Sequence, residues 1–269
     1  PYARRPGFAR IFEAMSGFTH LTGEPGGPPQ HMNFPLGDAV AGLFGAFAIA
    51  TALVERNAKP RDEQRGIEID LSATEAMMRL LDPLAAEHRL MGVVRNRTGS
   101  RAGYTAPSNV YRSADGEWIT LVASSDPIFV RLCRAMGRND LPTDARYATN
   151  AARTTNLETL DAIVTKWCHS LPLAELSMHL EAQEVPFTKV YSIADIEADP
   201  HVKARRAIIE LQDPQVGPIP APAVVPRFTG RAAAIPCVGP DTGQDNEEIY
   251  GALGIDAGKL DLLRAAKVI

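Results

Sequence analysis

Between Ala39 and Val54 the chain runs for sixteen residues with one polar interruption, Thr51. Such a run has few options in water. It is shorter than the roughly 20 residues a bilayer-spanning helix needs. Gly42, Gly45 and the many alanines let a neighbouring helix approach closely. A buried helix in a soluble core is the expectation, closing at Glu55-Arg56-Asn57, with no membrane-spanning segment. Gly37-Asp38 stands directly before it, so Asp38 is placed to be its N-cap, a position Asp favours.

Around this helix the local signals are conventional. Phe8, Ile11, Phe12 and Met15 recur at helical spacing and Gly17 ends that pattern, so a helix over 8–17 with this apolar face inward is expected. Thr22 to Pro29 is a Gly/Pro loop. Gln64 to Leu71 alternates Ile67, Ile69 and Leu71 with polar residues and reads as a strand. Ser72 and Glu75 have capping-box spacing before a helix running through Met77, Met78, Leu80 and Leu81 towards Leu90. Two β-rich runs flank Asp115-Gly116, a hairpin signal ending near Val122. Helices are expected over 127–136, 157–167 and 172–183. A short one at 195–198 ends at Asp199-Pro200, and Ile208 to Leu211 reads as a strand. Asp126 is placed to cap the Pro127 helix. Residues 214–240 hold seven prolines, at 214, 218, 220, 222, 226, 236 and 240, so this stretch is expected to be extended and to lie along another surface. Helices return at 245–251 and 256–266.

Several function classes are excluded early. The net charge is −4, and no cluster of basic residues offers a nucleic-acid footprint. Cys133, Cys168 and Cys237 are distant and odd in number. They predict no disulfide framework and suit a reducing cytoplasm. The histidines show no metal-ligand spacing, so no metal is expected. There is no GxSxG, P-loop or GxGxxG pattern. Asp38 therefore has two open readings. One is the cap; the other is a carboxylate held ionised at a helix N-terminus, with Gly37 leaving space for it to act as a nucleophile on an acyl carbon.

At these residues the sequence resembles a known family. PGFARIFEAMSGFTHLTGEPGGPP, LGDAVAGLFGAFAIATALVER and RGIEIDLSATEAMM come in series. APSNVYRSADGEWITL, DARYATNAARTTNLETL and EAQEVPFTKVYSIADIEADPHVKAR follow in order. Together they resemble the family III CoA-transferases, the CaiB/BaiF type to which formyl-CoA transferase belongs. The resemblance implies an α/β fold, with part of a Rossmann-like large domain, a smaller α+β domain and an interlocked homodimer. The matching division is 1–91 for the large-domain part, 92–102 as linker, 103–195 for the small domain and 196–269 as the return. It implies transfer of CoA from an acyl-CoA to a carboxylic acid, CoA being substrate and no separate cofactor being needed. Asp38 falls on the family's catalytic aspartate. Gly37, Gly99, Gly103 and Tyr104 are the substrate-binding expectations, with backbone N–H groups of the 99–103 loop steadying oxyanions; the glycine run of formyl-CoA transferase is absent there.

Racemases of this fold use a His where this sequence has Phe8, which cannot move a proton. His20 and His31 read as surface or satisfied histidines. Family members also carry a βαβ segment ahead of PGFARIFEAMSG that supplies much of the CoA nucleotide site. This chain begins at Pro1-Tyr2-Ala3-Arg4-Arg5, unlike a signal or targeting sequence. It is therefore expected to be the C-terminal part of a longer CoA-transferase. The remaining alternatives are an acyl-CoA racemase and an inactive fragment or subunit needing an N-terminal chain.

Overall fold

In the computed structural model, which describes residues 4–231, 235 and 238–269, helix α1 (Ala9–Ser16) stops at Gly17. The φ of +94° there is one a side chain would resist. Short α2 (Phe18–Leu21) and the Gly/Pro loop lead to α3 (Leu36–Asn57). Helices α4 (Ala73–Arg79) and α5 (Leu84–Met91) follow. The single helix expected from 72 towards 90 is thus two, because Pro83 cannot donate to the backbone ladder. Ser72 does cap α4, its Oγ accepting from the Glu75 N–H at 3.3 Å.

Three of these helices form one layer: α3 packs against α1 and α4. Its small core is Val40, Ala76 and Met77, with Phe18, Leu36 and Phe44 against it. The expectation of a buried α3 is overturned. Leu43 and Phe47 are each 73% exposed, and Val54 is 72% exposed. Among the described residues of its unit, α3 packs on α1 and α4 while these apolar side chains stay exposed. By length and apolar composition alone it could cross a bilayer. The segment 64–71 likewise forms no strand: no partner among the described residues offers it a hydrogen-bond ladder, and Ile67, Ile69 and Leu71 are exposed.

The second core is built on a hairpin. Strands β1 (Ser108–Arg112) and β2 (Trp118–Val122) pair antiparallel, with Val110 opposite Thr120. Strand β3 (Phe187–Lys189), not anticipated after Pro186, adds to the far edge of β2, with Thr188 opposite Thr120. Helices α6 (Asp126–Ala135), α7 (Asn150–Thr155), α8 (Leu157–His169) and α9 (Leu173–Ala182) cover this sheet. Tyr111, Ile119, Leu121, Phe129, Leu160 and Leu176 are all buried in one cluster. Asp126 is not the cap of α6. It lies inside the helix after Ser125, and its carboxylate takes a 2.7 Å bond from buried Arg153.

Residues 1–190 and 191–269 are two compact units. The second opens with α10 (Ile193–Ala198), which has a full Ser192/Asp195 capping box. Helix α11 (Pro200–Arg205) then starts at the proline expected to end the preceding helix. This is the first-turn position proline tolerates. Strand β4 (Ile208–Asp213) pairs antiparallel with β5 (Gly217–Pro222). Pro218, Pro220 and Pro222 of the proline-rich stretch stand opposite Gln212, Glu210 and Ile208. The alternation keeps the prolines on one register of the ladder and leaves the intervening N–H groups free to pair. Helices α12 (Asn246–Ala252) and α13 (Ala257–Ala265) end the chain as expected. Pro236 and Cys237 lie outside the described residues.

Cys133 and Cys168 are buried free thiols. Burial above all pushes both up to about 12, from an ordinary 9.0. Above pH 9 the unfolded chain gives up these protons and the folded chain keeps them. Stability is therefore lost as pH rises from about 9 to about 12, on the order of 1 kcal/mol per thiol per pH unit. Urea midpoints should fall between pH 8.5 and 10.5, and fall less in a Cys133→Ala/Cys168→Ala variant.

Candidate active site

Asp38 is not the N-cap. Helix α3 begins at Leu36 after Pro35, which offers no side-chain acceptor, and puts Asp38 inside the first turn. Among the described residues its exposed carboxylate makes no hydrogen bond or ion pair. It sits where the first N–H groups of a 22-residue helix point outward and its dipole favours negative charge. An acyl carbon could reach it from solvent.

Gly37 is buried beneath it. A side chain there would come within 3.2 Å of the Ala9 carbonyl, so the start of α3 lies close against α1 and a larger residue would need the backbone to give by a few tenths of an ångström. Its N–H donates to Glu13 Oε1 at 3.1 Å. The other Glu13 oxygen lies 3.4 Å from His31 Nδ1, which is also 3.4 Å from Thr19 Oγ1. Glu13 is fully buried, and the sequence reading missed it. The apolar spacing of Phe8, Ile11, Phe12 and Met15 pointed to the opposite side of α1, yet Phe8, Ile11 and Met15 are exposed. The usable signal was a charged residue four positions after Ala9, the other buried position of that helix. Phe8, 83% exposed, brings no proton-transfer group to the site.

The expected glycine loop is bonded to the Gly/Pro loop. The Gly99 N–H donates to the Gly23 carbonyl at 3.0 Å, so it is committed to tying 93–103 to the Gly/Pro loop. Arg97 reinforces that tie, donating from Nε to the Gly27 carbonyl at 2.9 Å and from its terminal nitrogen to the His20 carbonyl at 2.8 Å. Gly103 lines a hollow of about 540 Å³ with Pro25, Arg97, Arg101 and the α7–α8 junction. Tyr104 is 71% exposed and lines another of about 390 Å³ with Leu21, Leu80 and Arg95. The Arg95 guanidinium stands 5.9 Å from its ring and pairs with Glu87, whose hydrogen bond raises the already high Arg95 pKa further. Gly37 is thus brought to Glu13 and, through it, to His31, with Asp38 the next residue along α3. Gly99 is brought to Gly23, and no hydrogen bond among the described residues links Gly99, Gly103 or Tyr104 to Asp38.

The profile described as CoA-transferase family III matches residues 1–246. The chain belongs to CoA-transferase family III. Over its whole length it is 35% identical to a succinyl-CoA–D-citramalate CoA-transferase of Chloroflexus aurantiacus, covering 66% of that protein. It is 34% identical to the α subunit of a succinyl-CoA–L-malate CoA-transferase of the same organism, covering 62%. A CaiB/BaiF family protein from Brucella suis superposes with a TM-score of 0.77 at 28% identity, over 94% of this chain and 64% of that one. This family III chain therefore spans between about half and two thirds of the length of the curated relatives it matches. Its mixed helix and sheet architecture is that of the CaiB/BaiF proteins.

Proposed function

We propose that the protein carrying this chain transfers CoA from an acyl-CoA to a carboxylic acid through Asp38. The observation that carries the reading is an unbonded, exposed carboxylate in the first turn of α3, in a family III chain. An Asp38 oxygen attacks the donor carbonyl carbon, the C–S bond breaks, and the electron pair leaves with the CoA thiolate. The thiolate then attacks the Asp38 carbonyl carbon of the mixed anhydride and expels the donor acid, leaving an aspartyl-CoA thioester. The acceptor carboxylate displaces the thiolate, and the thiolate takes the acceptor's acyl carbon, restoring Asp38. Each exchange is easier than direct transfer between two stable acids.

The names of the relatives favour succinyl-CoA as donor and a C4–C5 dicarboxylic acid as acceptor. Gly37, Gly103 and Tyr104 remain the proposed substrate contacts, and Gly99 supports them by holding its loop. The exposed apolar side of α3 suits a subunit interface, so a homodimer is the proposed assembly, and unpaired buried thiols suit the cytoplasm. The intact protein is assayed with succinyl-CoA and malate, citramalate or glutarate as acceptors. CoA-ester formation with parallel double-reciprocal lines supports the reading. Release of free CoA and succinate with no new ester contradicts it.

A further inference from the structure

We propose that Glu13 is a positioning residue: it caps α3 from the neighbouring helix and so leaves the Asp38 carboxylate unbonded. The inference rests on the nucleophile reading of Asp38. It starts from a cost. A buried carboxylate is destabilising unless its oxygens are satisfied, and α1 nevertheless turns Glu13 to full burial while Phe8, Ile11 and Met15 face solvent. Both oxygens have partners, and one of them is the backbone of the residue before Asp38. Oε1 accepts from the Gly37 N–H at 3.1 Å, and Oε2 lies 3.4 Å from His31 Nδ1.

The Gly37 N–H is one of the orphan donors at the start of a helix. The usual remedy is a side-chain acceptor at the N-cap. Pro35 occupies that place and has none. Asp38 is the acidic residue of the same turn, and an Asp38 bonded to its own helix backbone would be a weaker nucleophile. Glu13 takes the donor instead. The contact also fixes the first turn of α3 against α1, where the close Gly37–Ala9 approach already holds the backbone. Glu13 itself touches no substrate in this account; it acts through Gly37 on Asp38.

Four proteins test this: wild type, Glu13→Gln, Glu13→Met and Asp38→Asn. Each is measured for kcat, KM for succinyl-CoA, the rate of hydroxylamine-trapped modification at Asp38, and amide exchange at Gly37. Met fills the volume without an acceptor, whereas the Gln amide oxygen can accept the same N–H. Glu13→Met should lose about 10- to 100-fold in kcat and in trapping rate, with KM within about twofold and faster Gly37 exchange. Glu13→Gln should stay within about threefold of wild type, because the acceptor is retained. Trapping at the wild-type rate in Glu13→Met, or an equal loss in Glu13→Gln, overturns the inference alone. If Glu13→Met does not fold, Glu13→Gln decides: near-wild-type rates support the inference and a tenfold loss overturns it. A wild-type enzyme that transfers CoA without modification of Asp38 overturns both the inference and the reading beneath it.

Discussion

Asp38→Asn is expected to lower CoA transfer by at least about a thousandfold while leaving the fold intact. The amide cannot form the anhydride, and removing a covalent nucleophile takes away the path itself rather than one contact along it. The stability side is mild. Asp38 makes no hydrogen bond or ion pair among the described residues. It contributes only a first-turn charge to the helix dipole, about 0.3–1 kcal/mol at an exposed site. A thermal midpoint within a few degrees of wild type, with kcat down a thousandfold, is the expected pair of results.

The largest stability effect should come from Arg153→Met. Arg153, on α7, is fully buried. Its Nε donates to the Ala106 carbonyl at 2.8 Å, and its terminal nitrogens donate to the Tyr147 carbonyl at 3.0 Å and the Ser124 carbonyl at 2.6 Å. A further bond reaches Asp126 at 2.7 Å, and the guanidinium lies 4.5 Å from the Phe129 ring. One fork thus ties the entry to β1, the exit from β2, α6 and the turn before α7. Methionine would fill much of the space and leave buried carbonyls without donors. The expected loss is about 3–5 kcal/mol, or roughly 10 °C in Tm. Asp126→Asn should cost about 1 kcal/mol or less, because Asp126 is 59% exposed and its pairing is screened. Equal losses in the two variants would mean that the ion pair, not the buried fork, holds the sheet and its helices together.

What was legible in the sequence follows from range. The hairpin through Asp115-Gly116, the Gly17 stop and the Ser72 cap are set by residues a few positions apart, and all three are present. Helices α6, α8 and α9 came from strong short-range periodicity. The failures involve distant partners. Strand β3 pairs with β2 across some seventy residues, the prolines of β5 signal only extended chain, and 64–71 carries a strand pattern without a strand beside it among the described residues. Pro83 splits a helix that its apolar spacing made continuous. The candidate site divides in the same way. Asp38 was visible as an acidic residue at a helix start and as a motif position. Glu13 was not, because its burial depends on Gly37, 24 residues later, and contradicts the apolar spacing of its own helix. The burial of Arg153 was hidden for the same reason: its acceptors are contributed by segments up to 47 residues away.

The central claim is a covalent bond to Asp38, and trapping that bond tests it most directly. The intact protein is incubated with succinyl-CoA, quenched with hydroxylamine, digested and mapped by mass spectrometry. The account predicts a hydroxamate on Asp38, dependent on succinyl-CoA and absent from Asp38→Asn. CoA transfer at a full rate with Asp38 unmodified, or with the hydroxamate on another carboxylate, would contradict it.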